Sequence, residues 1–232
     1  MKKLIVPKPI SGGLLLSYKC SSGCKHCMYA CSPKWEADWL SEANLQNYLS
    51  QLAGRIRPGP LGPDSVDLNS GLHFTGGEPF LNFDLLLRAT EIAHELDIPS
   101  IFVETNCDWC VNDQSTEDKL MQLKQAGLDG IMISVNPFLL EHVPFERTER
   151  AVRISRKVFG QNAFVYQSYF YRQFKKLGIN GTLSFEEYIA KAGLESLRYA
   201  ELNQWADCLT PSAGSLQNKK PKPSSANPAS IA

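Results

Sequence analysis

The apolar and polar positions along the chain divide it into short β-like runs and longer segments with helical spacing. Leu14 to Cys20 predicts a first strand. Leu45, Tyr48, Leu49 and Leu52 then recur at helical spacing, with Ser41 placed to cap them and Gly54 just past the end, which predicts a helix over 41–53. A loop rich in Gly and Pro, residues 55–71, leads to a second strand over 72–75. The pattern continues with a helix over 83–96 behind an Asn82 cap, a strand over 101–105, a helix over 115–126 closed by Gly127 and a strand over 130–135. Beyond these it predicts a helix over 145–159, a strand over 163–170, a helix over 184–192 and a sixth strand over 197–202. The aromatic residues between Phe164 and Phe174 read as core and helix packing.

Strands alternating with helices indicate β-α units around a parallel sheet, an α/β fold. After Thr210 the chain turns to Pro, Ser, Ala, Asn and Lys with almost no aliphatic residues, too few to offset the entropy of ordering. The expectation is one domain over residues 1–210 and a disordered tail over 211–232. No repeat at a solenoid period is visible.

Composition narrows the function. With 232 residues, 43% of them hydrophobic, the chain can bury one sizeable core, and its formal net charge of zero gives no bulk attraction to nucleic acid or an anionic membrane. Pro7 and Pro9 interrupt the apolar N-terminal patch, and no run reaches the roughly 18 apolar residues of a spanning helix. The expected location is therefore the cytoplasm. There, seven cysteines point to metal binding or catalysis rather than disulfides.

The segment CSSGCKHC spaces Cys20, Cys24 and Cys27 as C-x3-C-x2-C directly after the first predicted strand. Three thiolates at this spacing can converge on one metal centre. A structural zinc wants four protein ligands, whereas a cubane cluster can be held by three cysteines with one iron left open. The spacing alone leaves both readings standing. After the second strand comes FTGGEP, in which Gly76 and Gly77 lack Cβ atoms and permit close backbone approach, while Glu78 and Pro79 complete the turn. In a parallel sheet both loops fall on the carboxyl edge, where such folds bind ligands.

With these two motifs the chain resembles the radical S-adenosylmethionine superfamily, in which a CxxxCxxC loop after the first barrel strand occurs with a GGEP turn after the second. The resemblance implies a partial (β/α)6 TIM-like barrel and a [4Fe-4S] cluster on Cys20, Cys24 and Cys27. The open iron would be chelated by S-adenosylmethionine, whose reductive cleavage yields a 5'-deoxyadenosyl radical that abstracts hydrogen from a substrate. It implies further that Gly76, Gly77, Glu78 and Pro79 hold the methionine end. At later strand ends it points to Glu104, Thr105, Asn106, Ser134 and Asn136 as cosubstrate contacts, with helix caps and turns as the competing reading. Tyr166 and Gln167 follow less directly, and His26 reads as packing over the cluster. His73, His94 and His142 show no ligand spacing and read as structural.

The implied partners are an unidentified substrate and a reducing electron donor such as a flavodoxin or ferredoxin, with no membrane and no nucleic acid. Cys31, Cys107, Cys110 and Cys208 remain, all expected on the carboxyl face, where four thiolates would suffice for a second metal site. The pattern departs from many relatives in lacking a cysteine-rich C-terminal extension. That lowers the case for a large peptide-modifying enzyme and leaves an activating or small-substrate enzyme, or a truncated copy whose open barrel needs a partner. A non-catalytic metal-binding or electron-transfer module is the alternative from another class.

Overall fold

A computed structural model of the chain describes Pro9 and residues 11–193. The predicted sixth strand, the tail over 211–232 and Cys208 lie outside the described residues. Five strands, β1 (Ser11–Leu15), β2 (Gly71–Thr75), β3 (Ile101–Thr105), β4 (Gly130–Ser134) and β5 (Ala163–Tyr166), form one sheet in the order β1-β2-β3-β4-β5, and every neighbouring pair is parallel. Seven helices are described: α1 (Glu42–Leu52), α2 (Phe83–Glu95), α3 (Asp113–Gln125), α4 (Pro137–Leu140), α5 (Phe145–Phe159), α6 (Ser168–Lys176) and α7 (Phe185–Ala192). Parallel strands in sequential order, joined by right-handed crossovers, put the connecting helices on one face, as in the wall of a partial barrel. None of the described helices is long and apolar enough to cross a membrane.

Local chemistry sets the helix starts. The side chains of Ser41, Asn82 and Asn112 accept hydrogen bonds from the backbone N–H three residues on, and Ser184 with Glu187 forms a reciprocal capping box. Strand alternation, combined with the register, sorts side chains onto two faces. Leu72, Phe74, Ile101, Val103, Ile131 and Ile133 turn to the helices and share one core with Leu45, Leu86 and Leu120. Burying each such side chain contributes about 1.5–3 kcal/mol. The opposite face carries His73, Thr75, Phe102, Glu104, Met132, Ser134 and Tyr166, a polar and aromatic set that includes half-buried and exposed members.

Two strands differ from the sequence expectation. β1 begins at Ser11 and ends at Leu15, not at Cys20. Its Gly12 and Gly13 look like strand breakers, but Gly13 sits opposite His73, and a Cβ there would lie 2.5 Å from His73 Nε2. The glycine makes room for an imidazole that stacks on Phe102 at 5.2 Å. β5 ends at Tyr166 because Gln167 adopts a left-handed conformation (φ 62°, ψ 51°), and the aromatic run that follows is helical. Phe170 and Phe174, four residues apart on α6, pack against Tyr188, and Phe174 also meets Phe145 edge-on.

Gly13→Ala is expected to destabilise the fold by about 1–3 kcal/mol, the usual cost of overpacking, read from urea unfolding midpoints. In a His73→Ala background the same change should cost less than half as much. Equal costs in both backgrounds would show that the imidazole is not what excludes a side chain at position 13.

Candidate functional site

The chain leaves the sheet after β1 and pinches a loop. Leu16 N still donates to Thr75 O at 3.1 Å, but Lys19 then pairs with Ser32 as an isolated parallel bridge, with Ser32 N on Tyr18 O (3.2 Å) and Cys20 N on Ser32 O (3.3 Å). Residues 20–31 are thus a loop closed at its base. Lys19 Nζ fastens the outgoing limb by donating to the carbonyls of Pro33 (2.8 Å) and Trp35 (2.9 Å). Inside the loop, turns follow one another through Cys27 N on Cys24 O (3.2 Å) and Ala30 N on Cys27 O (3.0 Å). Backbone N–H groups also reach the sulfurs, Ser22 N to Cys20 Sγ at 3.4 Å and Cys31 N to Cys27 Sγ at 3.3 Å.

The three thiols share one electrostatic neighbourhood. Burial, then the nearby Glu78 carboxylate, pushes Cys20 up to about 12, and Cys27 adds to the rise. Burial likewise pushes Cys24 up, with Cys20 and Cys27 next in effect. Cys27 is pulled down, chiefly by its hydrogen bond with the Cys31 thiol, and Cys31 is pushed up by the same bond. Neutral thiols this close accept a second negative charge only beside a cation, so metal uptake would displace protons. Among the described residues no group of three or more His, Cys, Asp or Glu is placed to hold a metal ion as it stands. A cubane can be held by three cysteine thiolates, and three thiols on one pinched loop are the donor set that such a group takes.

The Gly-Gly-Glu-Pro turn after β2 is built against this loop. Gly76 has φ 117°, and Gly77 approaches so closely that a Cβ would lie 1.7 Å from Lys19 O. Gly77 N donates to Ser17 O (2.8 Å) and Glu78 N to Lys19 O (3.0 Å). The glycines are required by contact between two backbones. Pro79 opens a 3-10 turn, Pro79–Asn82, capped by the Glu78 side chain on Phe80 N (3.2 Å). That carboxylate is 1% exposed. It also accepts from Asn106 N at 2.7 Å and from the Thr105 hydroxyl at 3.0 and 3.1 Å. Burial pushes Glu78 up to about 7, against the opposing pull of these donors.

The strand-end residues divide by direction. Asn106 sends its amide to Ser21 Oγ (3.0 Å), Ser22 Oγ (3.3 Å) and Cys20 Sγ (3.5 Å). Asn136 caps α4 through Leu139 N (2.8 Å) and places Nδ2 3.3 Å from His26 Nε2. His26 stacks on Phe138 with ring centroids 5.1 Å apart, and burial pulls it down to about 4, so it is neutral. Glu104 accepts from Thr75 Oγ1 at 2.5 Å and lies 3.4 Å from His73 Nε2. Ser134, in register with Tyr166, is on the same open face, while Gln167 bends the chain into α6.

The expected set of Cys31, Cys107, Cys110 and Cys208 is not assembled among the described residues. Cys31 pairs with Cys27, whereas Cys107 and Cys110 are fully buried and hydrogen-bonded to each other. Sequence reading placed all four on one face, but the side chains of Cys31, Cys107 and Cys110 divide between the loop and the core, and Cys208 lies outside the described residues. It also missed the His73–Thr75–Glu104 group. Strand alternation with the β2–β3 register was the signal available for it.

No family model matches the chain, and no curated protein matches it. Solved structures with similarity include native anSMEcpe with bound AdoMet, at 16% identity and a TM-score of 0.49, covering 74% of this chain and 50% of that one. Another is BtrN in complex with AdoMet and 2-DOIA, at 16% identity and a TM-score of 0.41, covering 71% of this chain and 57% of that one. The chain thus spans only half, or slightly more, of the length of these structures.

A carboxyl group with a raised folded-state pKa binds its proton more tightly in the native than in the unfolded chain, so stability falls as pH rises between the two values. For Glu78 that window runs from 4.5 to about 7. The difference in stability between wild type and Glu78→Gln should therefore shift in favour of the variant across this window and level off above it. Urea titrations at several pH values test this, and a pH-independent difference would mean that the carboxylate is not titrating there.

Proposed function

We propose that this protein is a radical S-adenosylmethionine enzyme, and the observation that carries the reading is the hydrogen bonding of the Gly-Gly-Glu-Pro turn to Ser17 and Lys19, on the limb that enters the three-cysteine loop. Two motifs far apart in sequence become one structural unit at the carboxyl edge of the sheet. Cys20, Cys24 and Cys27 are the proposed ligands of a [4Fe-4S] cluster. When bound, that cluster supplies the electron that cleaves S-adenosylmethionine and leaves a 5'-deoxyadenosyl radical.

The chain's own residues orient and shield. Gly76 to Pro79 present backbone to the methionine end of the cosubstrate, while Glu104 and Ser134 offer hydrogen-bonding groups to the rest. The face of the sheet away from the helices is the proposed substrate side, with Phe102 and Met132 excluding water around the polar His73–Glu104 pair. A reducing protein such as a flavodoxin or ferredoxin is the proposed electron source, and the cytoplasm the proposed compartment.

After anaerobic reconstitution the wild-type protein should bind about four irons and form 5'-deoxyadenosine from S-adenosylmethionine under strong reductant. Cys24→Ala should lose both, because two remaining thiolates are too few to hold the cubane. Iron uptake without 5'-deoxyadenosine would favour an electron-transfer module instead. Wild-type iron content in Cys24→Ala would remove the ligand assignment.

A further inference from the structure

Asn106, the residue after β3, has its amide orientation set by backbone donors. Its own N–H is held by the buried Glu78 carboxylate at 2.7 Å, and its Oδ1 accepts from Asp108 N at 2.9 Å. A backbone N–H can only donate, so the oxygen must face Asp108 and the NH2 must face the other way. The other way is the cysteine loop, where Nδ2 meets Ser21 Oγ, Ser22 Oγ and Cys20 Sγ. The residue is 8% exposed, and both amide hydrogens are directed into the loop.

We infer that Asn106 is a positioning residue for the cysteine loop, fixing residues 20–22 and donating a hydrogen bond to Cys20 Sγ that makes a cluster held there easier to reduce; the second half rests on the function proposed above. A hydrogen bond to a ligating sulfur draws electron density from it, which favours the reduced cluster and raises its potential. Cys20 receives the Asn106 side-chain amide, with Ser22 N as its backbone donor. Cys27 has a backbone N–H and the Cys31 thiol. The side-chain donor to Cys20 is thus held in place from the end of β3 through Glu78. This places Asn106 on the loop rather than on a cosubstrate ribose.

Two measurements on Asn106→Ala and Asn106→Asp test the assignment. In metal-free protein, hydrogen–deuterium exchange over residues 20–24 should become several-fold faster, with the helices unchanged. In reconstituted protein, the midpoint potential should move to a more negative value at undiminished iron content, a shift that loosened packing alone would not produce. Asn106→Asp keeps an oxygen for Asp108 N while removing the N–H donors, so it decides the matter if the alanine variant fails to fold. Unchanged exchange, or an unmoved potential at full iron content, overturns the assignment; so does unfolding of both variants, which would make Asn106 a folding residue. If the wild type itself takes up no iron, the proposed function fails, and the exchange measurement still decides whether Asn106 fixes the loop.

Discussion

A carboxylate sealed from water needs hydrogen-bond donors or its burial costs several kcal/mol, and Glu78 finds them in Phe80 N, the Thr105 hydroxyl and Asn106 N. None of these donors can be supplied by solvent at a position 1% exposed. The requirement couples the end of β2 to the end of β3. Because the backbone of the same turn also bonds Ser17 and Lys19, the constraint extends to β1 and the base of the cysteine loop. Three strand ends are thus fixed relative to one another by a single buried group and the turn around it.

That coupling sets the cysteine loop beside a sheet face of different character from the core. The side chains that face the helices are apolar and hold the strands in the core, whereas the opposite face carries His73 and Glu104 within 3.4 Å of each other. Backbone contact supplies the precision at the cysteine loop, and side-chain alternation supplies the chemistry beside it.

Much of this was legible in the sequence. Helical periodicity with Ser41, Asn82 and Gly127 as punctuation located α1, α2 and the end of α3, and the hydrophobic runs located β2, β3 and β4 to within a residue. The ends of β1 and β5 were not legible, because each depends on a partner or a local conformation. Gly13 is tolerable in a strand only because His73 lies across from it, and Gln167 terminates β5 through a left-handed turn that nothing in the aromatic run announces. The site showed the same division. The motifs singled out Cys20, Cys24, Cys27 and the Gly-Gly-Glu-Pro turn, which the fold brings to neighbouring strand ends, but the direction of a side chain such as Asn106 follows from who donates to its oxygen, which only the fold decides.

The pinched loop has a consequence for how the protein is made. Its base closes through residues 18–20 and 32 and rests on the Gly77 turn, but residues 20–22 inside it are held by Asn106, which is more than 70 residues further along the chain. Synthesis proceeds from the N-terminus at about 5–20 residues per second, so the cysteines leave the ribosome seconds before the residues that shape them. During that interval the thiols lack the Asn106 amide and the buried Glu78 frame, and the nascent loop is without the contacts that shape it in the folded protein. Under the proposed function, delivery of the cluster would have to wait for, or compete with, formation of the third strand and the turn that follows it.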